Sequence, residues 1–178
     1  MNSTPVKVGF GGGCHWCTEA VFQQLQGVLQ VDQGWASSTD APSFFSEAVI
    51  VHFDPAVISL EVLTSLHLHT HSCTSRHALR TRYRSAVYGF GESQVQAVAK
   101  VLEALQADFD DPLVTEAVQF CAFRQNSERY QDYYQRQPEA PFCQRYISPK
   151  LQVLRKRYAQ HVRPTPTRNN ELTPKQPD

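Results

Sequence analysis

Three consecutive glycines, Gly11-Gly12-Gly13, join a short β-forming run, Val6–Phe10, to a helical pattern, and the joint itself reads Cys14-His15-Trp16-Cys17. Ala20, Val21, Phe22 and Leu25 share a helical face and Gly27 stops the helix. A strand, a glycine turn and a helix in that order place Cys14 at the helix start. A helix N-terminus offers unpaired N–H groups and a partial positive charge. Both favour a thiolate, the form in which a cysteine is a nucleophile. The glycines allow backbone conformations that side chains forbid. Cys17 lies about one helical turn on, within disulfide reach, and Trp16 offers a flat apolar wall.

Local chemistry leaves other uses of this turn open. C-x-x-C is half a zinc site, but no second pair follows. A strand–turn–helix can hold a phosphate, yet the G-x-G-x-x-G spacing is absent. A buried, inert cysteine is the third option.

The rest of the chain alternates strand and helix patterns. Val28–Trp35 and Ala48–Phe53 read as strands, with a Ser-rich loop, Ala36–Phe44, between them. Ile58–His69 reads as a helix, His71–Arg84 as a long loop and Ser85–Phe90 as a strand. Glu92–Ala107 is the most regular helical pattern. Thr115–Phe123 reads as a strand that packs Cys121, Glu128–Arg136 as a short polar helix and Pro149–Tyr158 as a last helix. The interleaving predicts α/β or α+β with a mixed sheet. One domain is expected over residues 1–160 and a disordered, Pro- and Asn-rich tail over 161–178.

The chain has 178 residues and no net charge, with 41% hydrophobic and 11% aromatic residues, enough to build a core. Zero net charge argues against bulk binding to nucleic acid or membrane. No apolar run approaches the roughly 20 residues of a membrane helix, and Met1–Lys7 does not read as a signal peptide. Five cysteines, an odd count, point to free thiols in a reducing compartment, so a cytoplasmic location is expected.

The segment Val8-Gly9-Phe10-Gly11-Gly12-Gly13-Cys14-His15-Trp16-Cys17-Thr18-Glu19-Ala20-Val21-Phe22 resembles the active-site segment of the A-type peptide methionine sulfoxide reductases, whose signature is Gly-Cys-Phe-Trp followed by Gly or Cys. Leu25-Gln26-Gly27-Val28, Glu47-Ala48-Val49, Phe53-Asp54-Pro55, Tyr83-Arg84-Ser85-Ala86-Val87-Tyr88, Gln131-Asp132-Tyr133-Tyr134 and Ile147-Ser148-Pro149-Lys150-Leu151 continue the match in order. The resemblance implies a two-layer, ferredoxin-like sandwich with a βαβ core. It also implies reduction of methionine-S-sulfoxide, free or in a peptide. Cys14 would attack the sulfoxide and become a sulfenic acid. A second thiol would close a disulfide, and a thioredoxin-like reductant would reopen it. No metal or organic cofactor is implied, and a monomer is expected. Cys17 is the first candidate for the resolving thiol, then Cys73 and Cys143. Trp16, Trp35 and Tyr83 are candidates for holding the substrate.

Several family residues have no match. The Tyr-x-Glu-Val stretch that carries the family's proton donor is missing, because the chain between Trp35 and Glu47 is shorter. Glu47 matches a different, strand-borne residue, so the acid role is not carried onto it. The family's His-Asp-Pro-Thr turn is His71-Ser72-Cys73-Thr74, its phenylalanine beside the nucleophile is His15, and a pocket tyrosine is Trp35. A replacement acid is therefore expected. His15 is the first candidate, with Tyr83 donating a hydrogen bond to the sulfoxide oxygen.

Two features keep other functions open. Leu66-His67-Leu68-His69-Thr70-His71-Ser72-Cys73 alternates histidines and a cysteine, so His67, His71 and Cys73 could ligate a soft metal in a protein without reductase activity. No acidic residue lies between Glu61 and Glu92, where Arg76, Arg80, Arg82 and Arg84 gather. Such a loop could lower the Cys14 pKa, or suit a thiol enzyme with an anionic substrate.

Overall fold

The computed structural model describes residues 3–164. Five strands form one mixed sheet: β1 Val6–Gly11, β2 Val28–Ser38, β3 Ala41–Phe53, β4 Ala86–Gly89 and β5 Glu116–Gln125. Their order is β1-β3-β2-β5-β4, and β1 also pairs with β4 through Gly9, Phe10 and Gly11, so the ring of strands closes. The βαβ unit is β4, helix α3 Glu92–Leu105 and β5, whose strands pair in parallel.

Alternation along the strands divides the interior. Val8 and Phe10 of β1, with Val49, Val51 and Phe53 of β3, face the helices and build the main core. The other strand face is kept small: Ala36, Ala48 and Ala86 surround Tyr88 and Val118. A methyl group on Gly9 would come within 2.8 Å of the Tyr88 Cβ. A closed ring of five strands has a narrow interior, and one tyrosine nearly fills it.

Helix α1, His15–Gln23, packs on the outer face and buries Cys17, Glu19, Ala20, Val21 and Phe22. Helix α2, Leu60–Thr70, begins at Ser59, whose Oγ accepts from the Val62 N–H at 3.1 Å. That cap contributes about 1 kcal/mol. A π-helical turn, Cys143–Ile147, leads into α5, Ser148–Arg157, which buries Leu151 and Leu154.

The structure corrects four local expectations. Ala36–Phe44 is no loop: β2 and β3 form a long hairpin that turns at Thr39-Asp40. The register shifts between Ala36 and Ser38, so Pro42–Phe45 bulge from the ladder, a position that suits a residue without an N–H. Glu128–Arg136 splits into a 3₁₀ turn, Glu128–Tyr130, and a short helix α4, Tyr133–Arg136. Asp132 between them is left-handed at φ 56°, and its N–H and that of Tyr133 both donate to the Glu19 carboxyl. Cys121 is exposed on β5 rather than packed. Residues 161–164 are not a free tail: Val162 bridges to Leu25, and the Arg163 N–H donates to the Gln24 carbonyl at 2.7 Å. The rest of the expected tail, 165–178, lies outside the described residues. No helix among the described residues is long and apolar enough to cross a membrane.

Candidate active site at the glycine–cysteine turn

Cys14 caps α1, and its carbonyl accepts from the N–H groups of Cys17 and Thr18. Gly12, at φ 152°, makes the turn possible, since a Cβ there would sit 2.5 Å from the His71 ring. The Cys17 thiol donates a hydrogen bond to the Cys14 sulfur, which lowers the Cys14 pKa. The N–H groups of Trp16 and Cys17 beside the sulfur lower it further, against burial and the Glu47 charge. The same hydrogen bond pushes Cys17 far up, with burial second. Both thiols are free: Cys14 is half-buried and Cys17 is buried. This is the arrangement of an attacking thiolate backed by a protonated partner.

His15 and Glu47 are both buried, at 5% and 3% exposure. The Gly34 carbonyl lies 2.6 Å from His15 Nδ1, so Nδ1 carries a proton and donates it. Nε2 then faces Glu47 Oε1 at 3.3 Å, while the His15 backbone N–H approaches the same oxygen at 3.4 Å. A proton on Nε2 would point at the carboxylate. Burial lowers the His15 pKa, against the pull of Gly34 and Glu47, so the ring gives that proton up readily. Glu47 Oε2 accepts from Arg82 Nε at 2.6 Å. The Glu47 charge is felt at both the Cys14 thiol and the Tyr83 phenol, which places the pair beside Cys14. The carboxylate thus stands at the site, although the sequence comparison with the family did not carry the acid role to it.

The other candidates divide clearly. Trp35 sits edge-on to His15 at 5.1 Å. Tyr83, under the Arg82 guanidinium at 5.1 Å, feels both Cys14 and Glu47, and burial raises its pKa. Trp16 stacks on Tyr133 at 4.3 Å and meets Phe142 edge-on at 5.4 Å, so the C-terminal segment covers it. Cys143 is buried behind Cys17, close enough for its charge to be felt there. Cys73 is buried in the core and does not line the cavity that Cys14 and Cys17 share.

The metal alternative fails on geometry. His67 Nε2 lies 2.8 Å from the Gly11 carbonyl. His71 Nδ1 lies 2.5 Å from the His67 carbonyl and its Nε2 2.8 Å from Ser85 Oγ. The two rings stack at 4.1 Å, and burial holds both neutral, His71 at about 4. Among the described residues no group of three His, Cys, Asp or Glu side chains could hold a metal ion. Three of the four arginines of this loop are already committed to partners. Arg84 pairs with Asp40 and Glu116, and Arg82 with Glu47. Arg80 donates to the carbonyls of Ser75, Gly12, Tyr83 and Ser72, which pins the loop to the glycine turn.

One important residue was overlooked. Glu19 is completely buried in α1. Its carboxyl accepts from Gln33 Nε2 at 3.0 Å and from the N–H groups of Asp132 and Tyr133 at 3.1 and 3.2 Å. It therefore anchors the segment that lays Tyr133 on Trp16. A charged residue on the apolar face of a helix was the available signal.

Comparison with known proteins agrees with this geometry. The family described as peptide methionine sulfoxide reductase matches residues 6–162. The chain is similar to the peptide methionine sulfoxide reductase MsrA of Chromobacterium violaceum, 33% identical over 86% of this chain and 96% of the relative. It is 36% identical to that of Ralstonia nicotianae, over 85% and 90%. In fold it resembles reduced Mxr1 from Saccharomyces cerevisiae, with a TM-score of 0.69 at 22% identity over 78% and 89% of the two chains. It also resembles methionine sulfoxide reductase A of Corynebacterium diphtheriae, with a TM-score of 0.63 at 22% identity over 75% and 76%. With that family matched over residues 6–162 and nearly the whole length of these relatives covered, the chain belongs to the peptide methionine sulfoxide reductase family.

Proposed function

We propose that this protein reduces methionine-S-sulfoxide, free or within a peptide, with Cys14 as nucleophile. The observation that carries the reading is a thiol of lowered pKa at a helix start, next to a buried imidazole–carboxylate contact. The Cys14 thiolate attacks the sulfoxide sulfur. The oxygen passes to Cys14, methionine leaves, and the sulfenic acid gains one proton. His15 and Glu47 supply that proton, and Tyr83 steadies the oxygen by a hydrogen bond. Trp35 and the exposed edge of Trp16 flank the methyl group. Cys17 then attacks the Cys14 sulfenic acid, which gives a disulfide and one water. An external dithiol returns both thiols by exchange.

A thioredoxin-like protein is the proposed reductant. Yeast Mxr1, which shares the fold, has a structure in complex with Trx2. Five free thiols suit a reducing compartment, and we place the protein in the cytoplasm. It acts as a monomer, since its closed ring of strands needs no second copy to complete the sheet.

Turnover of the two methionine sulfoxide epimers with dithiothreitol tests the reading. Methionine should form from the S epimer alone. Equal turnover of both epimers, or of neither, overturns it.

A further inference from the structure

Lys150 belongs to a segment that resembles the family, yet the reaction above leaves it without a task. It lies near the start of α5, and its side chain closes one wall of a cavity of about 20 Å³, room for about one water. Cys14, Cys17, Thr18 and Val21 line the cavity from α1 and its cap, and His67, Thr70 and His71 from α2 and its C-cap. The Lys150 ammonium donates to the Thr70 carbonyl. Among the described residues no carboxylate pairs with it. A half-buried cation without a counter-ion is costly, and the groups of opposite potential charge that it faces are the two thiols.

We propose that Lys150 is a positioning residue for the second half of the reaction, its ammonium holding the Cys17 sulfur as a thiolate while that sulfur attacks the Cys14 sulfenic acid. The proposal rests on the reading of Cys14 and Cys17 given above. In the resting site Cys17 is protonated because its S–H serves the Cys14 thiolate. Once Cys14 carries oxygen as a neutral sulfenic acid, that hydrogen bond to a charge is gone. Burial still opposes ionisation of Cys17, and Lys150 favours it.

The remaining groups do not compete. His67 and His71 are held neutral by burial, with His67 Nε2 and both ring nitrogens of His71 engaged. Arg80, on the far side of His71, is spent on four carbonyls. Cys143 behind Cys17 opposes its ionisation. In the step itself the Cys17 thiolate forms the S–S bond, the Cys14 S–O bond breaks, and hydroxide leaves. The proton lost by Cys17 converts it to water.

The thiolate of Cys17 can be read alone by ultraviolet absorbance. The signal is the difference between Cys14→Ser and Cys14→Ser/Cys17→Ser over a pH series. Lys150→Gln, which keeps a donor for the Thr70 carbonyl, should raise the Cys17 pKa by about one unit, and Lys150→Arg should restore it. In a single turnover with methionine sulfoxide, Lys150→Gln should slow methionine release less than disulfide closure. Its disulfide should close about tenfold more slowly at neutral pH. The same Cys17 titration with and without Lys150, in proteins of equal melting temperature, overturns the proposal. If instead the wild-type protein releases no methionine in its first turnover, the reductase reading fails, and the titration still decides the role of Lys150.

Discussion

His15 Nε2 and Glu47 Oε1 face each other at 3.3 Å with both side chains shut away from solvent. Because the Gly34 carbonyl occupies the other ring nitrogen, Nε2 is the ring atom left to pass a proton. His15→Phe recreates the residue that the family carries beside the nucleophile, yet it should lower turnover by about 10²-fold, the lower end of general-acid catalysis. Glu47→Gln should do the same, and the double variant should be little worse than either single one. An unchanged or faster His15→Phe enzyme would show that the proton comes from elsewhere.

The pH profile should be bell-shaped. The rising limb is Cys14 ionising below its ordinary 9.0. The falling limb is loss of the His15 Nε2 proton, and burial draws it below the ordinary histidine value of 6.5. Activity therefore declines as pH rises through the His15 pKa. In His15→Phe that falling limb should disappear from a plot of kcat/KM against pH.

Cys14→Ser should abolish turnover and sulfenic acid trapping while leaving the fold intact. Peptide mapping of the freshly oxidised protein should find Cys14 joined to Cys17. A first-formed link to Cys143 or Cys73 would remove Cys17 from the resolving role.

Much of this site was legible in the chain. The glycine turn, Cys14 at the helix start and Cys17 one turn on are local features, and local spacing reveals them. Glu47 was readable as a strand residue, but its place beside His15 depends on the β2–β3 register, which sets Trp35 opposite Glu47. The bulge at Pro42–Phe45 hid that register, since its Pro and Ser read as a loop. The Arg80 staple was illegible for another reason: its partners are backbone carbonyls, which carry no side-chain signature.

Glu19 gives a stability test with a definite sign. Burial pushes its folded pKa up to about 7, against an ordinary 4.5. The folded protein keeps a proton that the unfolded chain surrenders above pH 4.5, so this group's contribution falls as pH rises from 4.5 to about 7. The loss is on the order of 3 kcal/mol. In urea titrations across that window Glu19→Gln should show a flatter dependence on pH than the wild type. Identical slopes would refute it.

Gly12 is constrained by its φ of 152° and by His71. Gly12→Ala should cost about 1–3 kcal/mol in strain and shift the Cys14 turn. Thermal melting would show the loss of stability, and slower alkylation of Cys14 the loss of its thiolate.

The hairpin that carries Glu47 has a consequence for how such a protein can diverge. Gly34 and Ala48 form one rung of the ladder, with Trp35 and Glu47 on the next, and the turn and the bulge both lie beyond them. Residues can be lost or gained at the tip without moving the carboxylate, because cross-strand pairing rather than loop shape positions it. Loop length and proton supply are thereby uncoupled. A change of loop length here leaves His15 and Glu47 facing each other, because the rung that holds Glu47 lies below the turn.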